Sequence, residues 1–77
     1  MRPPARFMPK YADLPAHQRE RIARHFDLAM IELRQAGKHE DLPSGRVEAM
    51  WADLLRLPEN RITTQRLMQL YLRHAKR

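Results

Sequence analysis

The sequence contains no cysteine, only two glycines and no long apolar run. The absence of cysteine excludes disulfides and thiolate metal sites. Gly37 and Gly45 are isolated, so they cannot form the glycine-rich loop that cradles a phosphate group. Basic residues interrupt every apolar run near the N-terminus, which argues against a signal peptide, and no stretch is long enough to span a membrane. We therefore expect a cytoplasmic protein that makes no contact with a membrane.

Residues that carry catalysis or bind metals are also sparse. No two histidines lie four residues apart, the spacing with which one helix face chelates a metal ion. We identify neither a nucleophile with a positioned base nor a carboxylate pair suited to acid–base chemistry. We therefore expect no enzymatic activity, no metal and no cofactor. The histidines are His17, His25, His39 and His74.

The chain of 77 residues has a net charge of +6, and the excess positive charge is concentrated at its two ends. Residues 1–12 contain three basic groups and residues 61–77 contain five, with no acid in either segment. Residues 13–60 contain nine acids and seven bases. Such segregated positive charge is typical of a nucleic-acid footprint. The alternative interpretation is a pair of frayed, solubilising termini.

Apolar periodicity predicts an all-α fold, a small three-helix domain preceded by an extended basic arm at residues 1–12. The single domain comprises residues 13–77, with helices at about 14–36, 44–56 and 64–75. Asp13 is the predicted cap of the first helix, Gly37 its terminator and Trp51 the centre of the core. The predicted core face of the first helix contains Ile22, Ala23, Phe26, Ala29, Met30, Leu33 and Ala36.

The segment 63–77 is predicted to form a helix with two unlike faces. Leu67, Leu70, Tyr71 and His74 recur at helical spacing and are predicted to face the core. The opposite face combines amides with cations, and the whole segment lacks Asp and Glu. Thr63 is its predicted N-cap. Together with the arm, this face supplies the predicted nucleic-acid contacts, which are Arg2, Arg6, Lys10, Arg61, Gln65, Arg66, Gln69, Arg73, Lys76 and Arg77.

The N-terminal arm interleaves cations with Phe7 and Tyr11. Its three prolines, at positions 3, 4 and 9, deny the backbone helical hydrogen bonds and favour extended conformations. Basic arms of some DNA-binding domains enter the minor groove, and the cations of this arm are candidates for such contacts. The alternative, which we favour for Phe7 and Tyr11, is that these two side chains fold back and cover the helical core. The two interpretations are compatible.

Residues 47–75 resemble the helix-turn-helix motif. Ala52 fits the small position at which the two helices cross, and Leu55 and Ile62 fit the flanking core positions. The resemblance implies that the last helix lies in the major groove of DNA. Arg56 replaces the usual turn glycine and the connection is long, so only the geometric role of the last helix is carried over.

Two functions are compatible with these features. The leading prediction is a small, dimeric DNA-binding transcription regulator of prokaryotic, phage or plasmid type. The alternative is a protein-interaction module or inhibitor, whose basic face meets an acidic surface of a host or partner protein. Its five methionines, with the wide apolar face of the second helix, would supply an adaptable apolar patch. The predicted contacts with a second subunit or a partner are Leu28, Ile31, Trp51 and Leu55.

Overall fold

A computed structural model describes residues 3–75, which contain helices and no β-strand. The all-α fold predicted from the sequence is therefore confirmed. The helices are α1 (Met8–Ala12), α2 (Ala16–Gln35), α3 (Ser44–Leu54) and α4 (Thr64–Ala75). Short 3-10 turns precede α1 at Ala5–Phe7 and α4 at Glu59–Arg61. No helix within the described range has the length and apolar character needed to cross a bilayer.

The N-terminal segment is helical over residues 5–12, so the prediction of an extended conformation is wrong there. Pro9 lies in the first turn of α1, where the missing N–H of proline has no hydrogen bond to lose. Phe7 and Tyr11 pack against the core, as the fold-back alternative predicted. The Tyr11 hydroxyl donates to the Arg19 carbonyl at 3.3 Å, and Arg19 Nη1 donates to the Ala12 carbonyl at 3.2 Å. These bonds tie α1 to the start of α2.

Two predictions concern the ends of α2, and the structure contradicts the first and confirms the second. Asp13 does not cap α2. It follows the last residue of α1, and its backbone N–H donates to the Pro9 carbonyl at 3.1 Å. Pro15 precedes α2 instead and contributes no side-chain cap. Gly37 ends the helix with φ of 70°, a backbone conformation that favours glycine. The Lys38 N–H bonds the carbonyl of residue 33 at 2.9 Å, which completes a Schellman motif.

The core lies between α2, α3 and α4, with Trp51 near its centre. Trp51 is 1% exposed and stacks on Phe26 with a centroid separation of 5.7 Å. Tyr11 meets the same indole edge to face at 5.9 Å. Ala23 and Ala36 are exposed, so the core stripe of α2 is narrower than predicted. The buried hydrophobic residues are Ile22, Phe26, Ala29, Met30, Leu33, Met50, Trp51, Leu54, Ile62, Leu67, Leu70 and Tyr71.

The connection between α3 and α4 runs over residues 55–63 and contains the second 3-10 turn. A helix-turn-helix motif usually joins its helices by three or four residues, so this connection is longer than the motif requires. Ile62 is fully buried, as its position in the motif predicts, whereas Ala52 and Leu55 are half-buried. The pair of helices is compatible with the helix-turn-helix arrangement, which stays a prediction.

Candidate nucleic-acid interface

The outer face of α4 has a row of exposed polar side chains. Gln65, Gln69 and Arg73 are spaced four residues apart and all three are exposed. Within residues 3–75, none of these side chains makes a hydrogen bond or an ion pair. We call these three residues the α4 ridge. Their donors are free to meet a ligand, and the sequence of α4 places no carboxylate among them.

Open grooves border the α4 ridge on two sides. One, of about 510 Å³, lies between the end of α3 and α4 and is lined by Asp53, Leu57 and Arg66. The other, of about 790 Å³, lies between α4 and the loop that contains Lys38 and Glu40. Residues 69 and 73 line both grooves, so this part of α4 stands between two depressions. A convex helix of this kind suits insertion into a complementary groove of a partner.

The C-terminal end of α4 is held by two residues of α3. His74 Nε2 lies 2.9 Å from Asp53 Oδ2, and Arg46 Nη1 donates to the His74 carbonyl at 2.7 Å. The second bond satisfies one of the carbonyls that a helix leaves unpaired in its last turn. The contact with His74 involves Asp53, which is the one acid that lines the 510 Å³ groove. His74 is half-buried at the edge of the core, as predicted.

The N-terminal end of α4 is held by its cap and by α2. The Arg66 N–H donates to Thr63 Oγ1 at 3.2 Å, which confirms the predicted cap. Arg21 Nε donates to the Ile62 carbonyl at 2.9 Å, and His25 Nδ1 lies 2.8 Å from Oγ1 of Thr64. Both ends of α4 are therefore fixed, so the α4 ridge is presented on an anchored helix.

Sequence reasoning missed the structural use of two arginines on α2. Arg19 and Arg21 lie among alternating acids and bases along α2, a pattern typical of a solvated, ion-paired surface, but their side chains donate to backbone carbonyls. The acceptor of the Arg21 bond lies 41 positions along the chain. No local spacing in the sequence signals a bond of that kind, because it depends on how α2 and the α3–α4 connection pack.

The other predicted nucleic-acid contacts are distributed over the molecule. Arg61 is exposed at the end of the 3-10 turn before α4, and Arg66 is half-buried beside the ridge. Arg6 lies 3.7 Å from Glu48, and with Lys10 it lines a separate groove that contains no α4 residue. The structure therefore does not bring α1 and α4 together in one site. Arg2, Lys76 and Arg77 lie outside the described residues.

The predicted partner contacts divide into exposed and covered residues. Leu28 and Ile31 are 44% and 48% exposed on the outer side of α2. Trp51 is buried, so its assignment to a partner interface is wrong for this structure. Its indole is covered by Phe26 and by Tyr11, which follows from the helical conformation of the N-terminal segment. Leu55 is half-buried and packs against the core.

Tyr71 anchors the loop between α2 and α3 to α4. The His39 ring stacks on Tyr71 with a centroid separation of 5.7 Å. Burial raises the pKa of Tyr71 above its usual 10.0, and the negative charge of Asp41 raises this pKa further. The Tyr71 hydroxyl is therefore neutral near pH 7, and it lies at the edge of the loop that borders the larger groove.

Side chains suited to metal binding are dispersed in the described part of the chain. No group of three or more His, Asp or Glu side chains in residues 3–75 is arranged to hold a metal ion. The histidines near carboxylates form separate pairs, with His17 3.1 Å from Glu59 and His74 2.9 Å from Asp53.

The comparisons with known proteins add no family to this description. No protein-family model matches the chain, and no match was found among curated proteins or solved structures.

Proposed function

We propose that the protein is a small DNA-binding regulator of prokaryotic, phage or plasmid type, acting in the cytoplasm with α4 as its DNA-contacting helix. The observation that carries the proposal is the α4 ridge, which is exposed, unpaired within residues 3–75 and free of acidic residues. Arg61 adds a further exposed cation just before α4. DNA is a polyanion, and one cation and two amides in a row on a fixed helix complement it.

The dimensions of α4 support the same proposal. An α-helix with its side chains is roughly 10 to 12 Å in diameter, which matches a major groove about 12 Å wide. The residues Thr64–Ala75 extend over roughly 18 Å at 1.5 Å per residue, which is enough to cross one major groove.

The side chains of the α4 ridge and its surroundings are suited to different kinds of DNA contact. A glutamine amide offers one donor and one acceptor, the pair needed to read the major-groove edge of adenine, so Gln65 and Gln69 are suited to base contacts. Arg73 is suited to guanine or to a phosphate. Arg61 lies before the helix and is suited to neutralise a phosphate of the backbone. Phosphate contacts of this kind set affinity and its salt dependence without reading sequence.

The alternative of a protein partner has less support from the structure. It requires an adaptable apolar patch of methionines beside the basic face, but Met30 and Met50 are buried in the core. Met8 is exposed on α1, whereas Met68 of α4 is half-buried against the core. The described methionines therefore do not form one surface with the α4 ridge.

Titration of the protein into fluorescently labelled random duplex DNA tests the proposal. We expect the anisotropy to report binding at low salt that weakens steeply as salt increases. Replacement of Arg73 by Gln should weaken binding and lower the slope of log K against log salt by about 1 if Arg73 contacts a phosphate. The matched control is Arg24→Gln, which removes the same charge from the exposed face of α2.

Two outcomes would contradict the proposal. One is the absence of binding at low salt. The other is equal loss of affinity in the Arg73 and Arg24 variants, because equal loss would mean that net charge matters and the α4 ridge does not. A pull-down in which an acidic protein is captured through Arg73 would favour the partner-protein alternative instead.

A further inference from the structure

The outer side of α2 carries two of the three exposed large hydrophobic residues in the described part of the chain. Leu28 and Ile31 are the most exposed of the large hydrophobic residues in that range, at 44% and 48%. They are three residues apart, so both lie on the same side of α2. The opposite side of the helix is buried in the core. Leu28 and Ile31 therefore form an apolar strip on a helix whose opposite side is packed against the core.

Two opposite charges flank this strip. Asp27 precedes Leu28, and Arg34 follows Ile31 by three residues. Both side chains are exposed, and neither forms a salt bridge within residues 3–75. At 100° per residue, the two charges project from the same edge of the strip. The edge thus carries a negative charge at its N-terminal end and a positive charge at its C-terminal end.

We propose that this face binds a second copy of the chain, with the two α2 helices antiparallel. In that orientation Leu28 of each copy lies opposite Ile31 of the other. Asp27 of each copy then lies opposite Arg34 of the other. A two-fold axis repeats every contact, so the interface contains two apolar contacts and two reciprocal ion pairs. In a parallel two-fold arrangement the charged edges of the two copies would lie on opposite sides of the interface, so Asp27 of one copy could not reach Arg34 of the other.

The size of the face determines the strength of the dimer. Two half-exposed aliphatic side chains on each copy, flanked by one pair of charges, form an interface below the roughly 1,200 Å² of standard stable complexes. Such small interfaces are typical of transient association. We therefore expect a reversible dimer that dissociates on dilution, with ion pairs that fix the antiparallel orientation rather than supply most of the affinity.

The dimer does not depend on DNA binding. Its residues lie on α2, whereas the α4 ridge lies on another helix, so failure of either proposal leaves the other standing. If both hold, the dimer presents two α4 helices related by two-fold symmetry. Symmetric DNA-binding dimers read palindromic sites.

Charge reversal tests the antiparallel pairing by sedimentation velocity over a concentration series. Asp27→Arg places two cations at each flank of a homodimer and Arg34→Asp places two anions there, so each variant alone should be monomeric where the wild type is dimeric. An equimolar mixture of the two variants should form a heterodimer, because each cation then meets an anion. The double variant D27R/R34D should recover the homodimer for the same reason.

A second variant and a control complete the test. Leu28→Lys should raise the dissociation constant at least tenfold, whereas Glu40→Arg, a charge reversal in the exposed loop after α2, should leave it unchanged. Circular dichroism checks that each variant is folded, which we expect because every substituted side chain is exposed. A wild type that stays monomeric at all concentrations would overturn the proposal. Dimerisation that persists in both single charge variants would overturn it as well.

Discussion

The cap of α4 offers a direct test of how this helix is held in place. The Thr63 hydroxyl accepts a hydrogen bond of 3.2 Å from the Arg66 N–H. Replacing Thr63 by Ala removes the hydroxyl that accepts this bond and leaves a first-turn N–H to be satisfied by solvent. Replacing it by Ser keeps the hydroxyl and removes only a methyl group. The comparison of the two variants therefore isolates the cap.

The expected loss follows from the geometry of the bond and the size of the protein. Substitution of a capping threonine by alanine costs roughly 0.5 to 2 kcal/mol, and a bond of 3.2 Å at a half-buried site suggests about 1 kcal/mol. A chain of 77 residues has a free energy of unfolding of roughly 4 to 12 kcal/mol. A loss of about 1 kcal/mol in a domain of this size lowers the melting temperature by about 4 to 8 °C.

Thermal unfolding followed by circular dichroism at 222 nm on wild type, Thr63→Ala and Thr63→Ser measures this loss. We expect the Ala variant to melt several degrees below the Ser variant, and the Ser variant to melt close to the wild type. Equal melting temperatures for Ala and Ser would show that the hydroxyl does not cap α4. The account of a fixed α4 would then rest on the remaining contacts that α2 and α3 make with its two ends.

Two further predictions concern groups that hold α4 against its neighbours. Because the pKa of Tyr71 is raised in the folded state, the free energy of unfolding should be unaffected by this group below pH 10 and should fall as the pH rises through the pKa of the folded tyrosine. Tyr71→Phe should flatten that fall in urea titrations over the same pH range. Replacing Arg21 by Met keeps most of the apolar stem but leaves the Ile62 carbonyl without its donor. We therefore expect the free energy of unfolding to fall by about 1 to 2 kcal/mol in the same titrations. An unchanged free energy of unfolding would contradict a structural role for this arginine.

Local sequence signals predicted the parts of the fold that depend on local physics. The predicted helices at about 14–36, 44–56 and 64–75 correspond to α2, α3 and α4, which begin and end within two residues of those limits. Gly37 and Thr63 act at the helix ends as their chemistry predicts, because a left-handed terminator and a hydroxyl cap need only their nearest neighbours.

The errors of prediction lie where distant segments decide the outcome. The prolines predicted an extended N-terminal segment, but the packing of Phe7 and Tyr11 against the core outweighs that local preference. Because the segment is helical, Asp13 lies at the end of α1. Arg21 looked like a surface charge because its acceptor, the Ile62 carbonyl, lies far along the chain. In both cases the sequence does not show in which direction a side chain points once the helices have packed.

The fixed position of α4 changes the meaning of the positive charge at the C-terminal end of the chain. Frayed, solubilising termini were one interpretation of this charge, but residues 64–75 form a helix whose Leu67, Leu70 and Tyr71 are buried. The interpretation is therefore wrong for this segment. Asp53 contacts His74 and Glu40 lines the groove on the other side of the ridge, and neither carboxylate forms an ion pair with Arg73 within residues 3–75. Cations and amides on an anchored helix lose less backbone freedom on binding than those on a mobile tail, so more of their interaction energy is available for affinity.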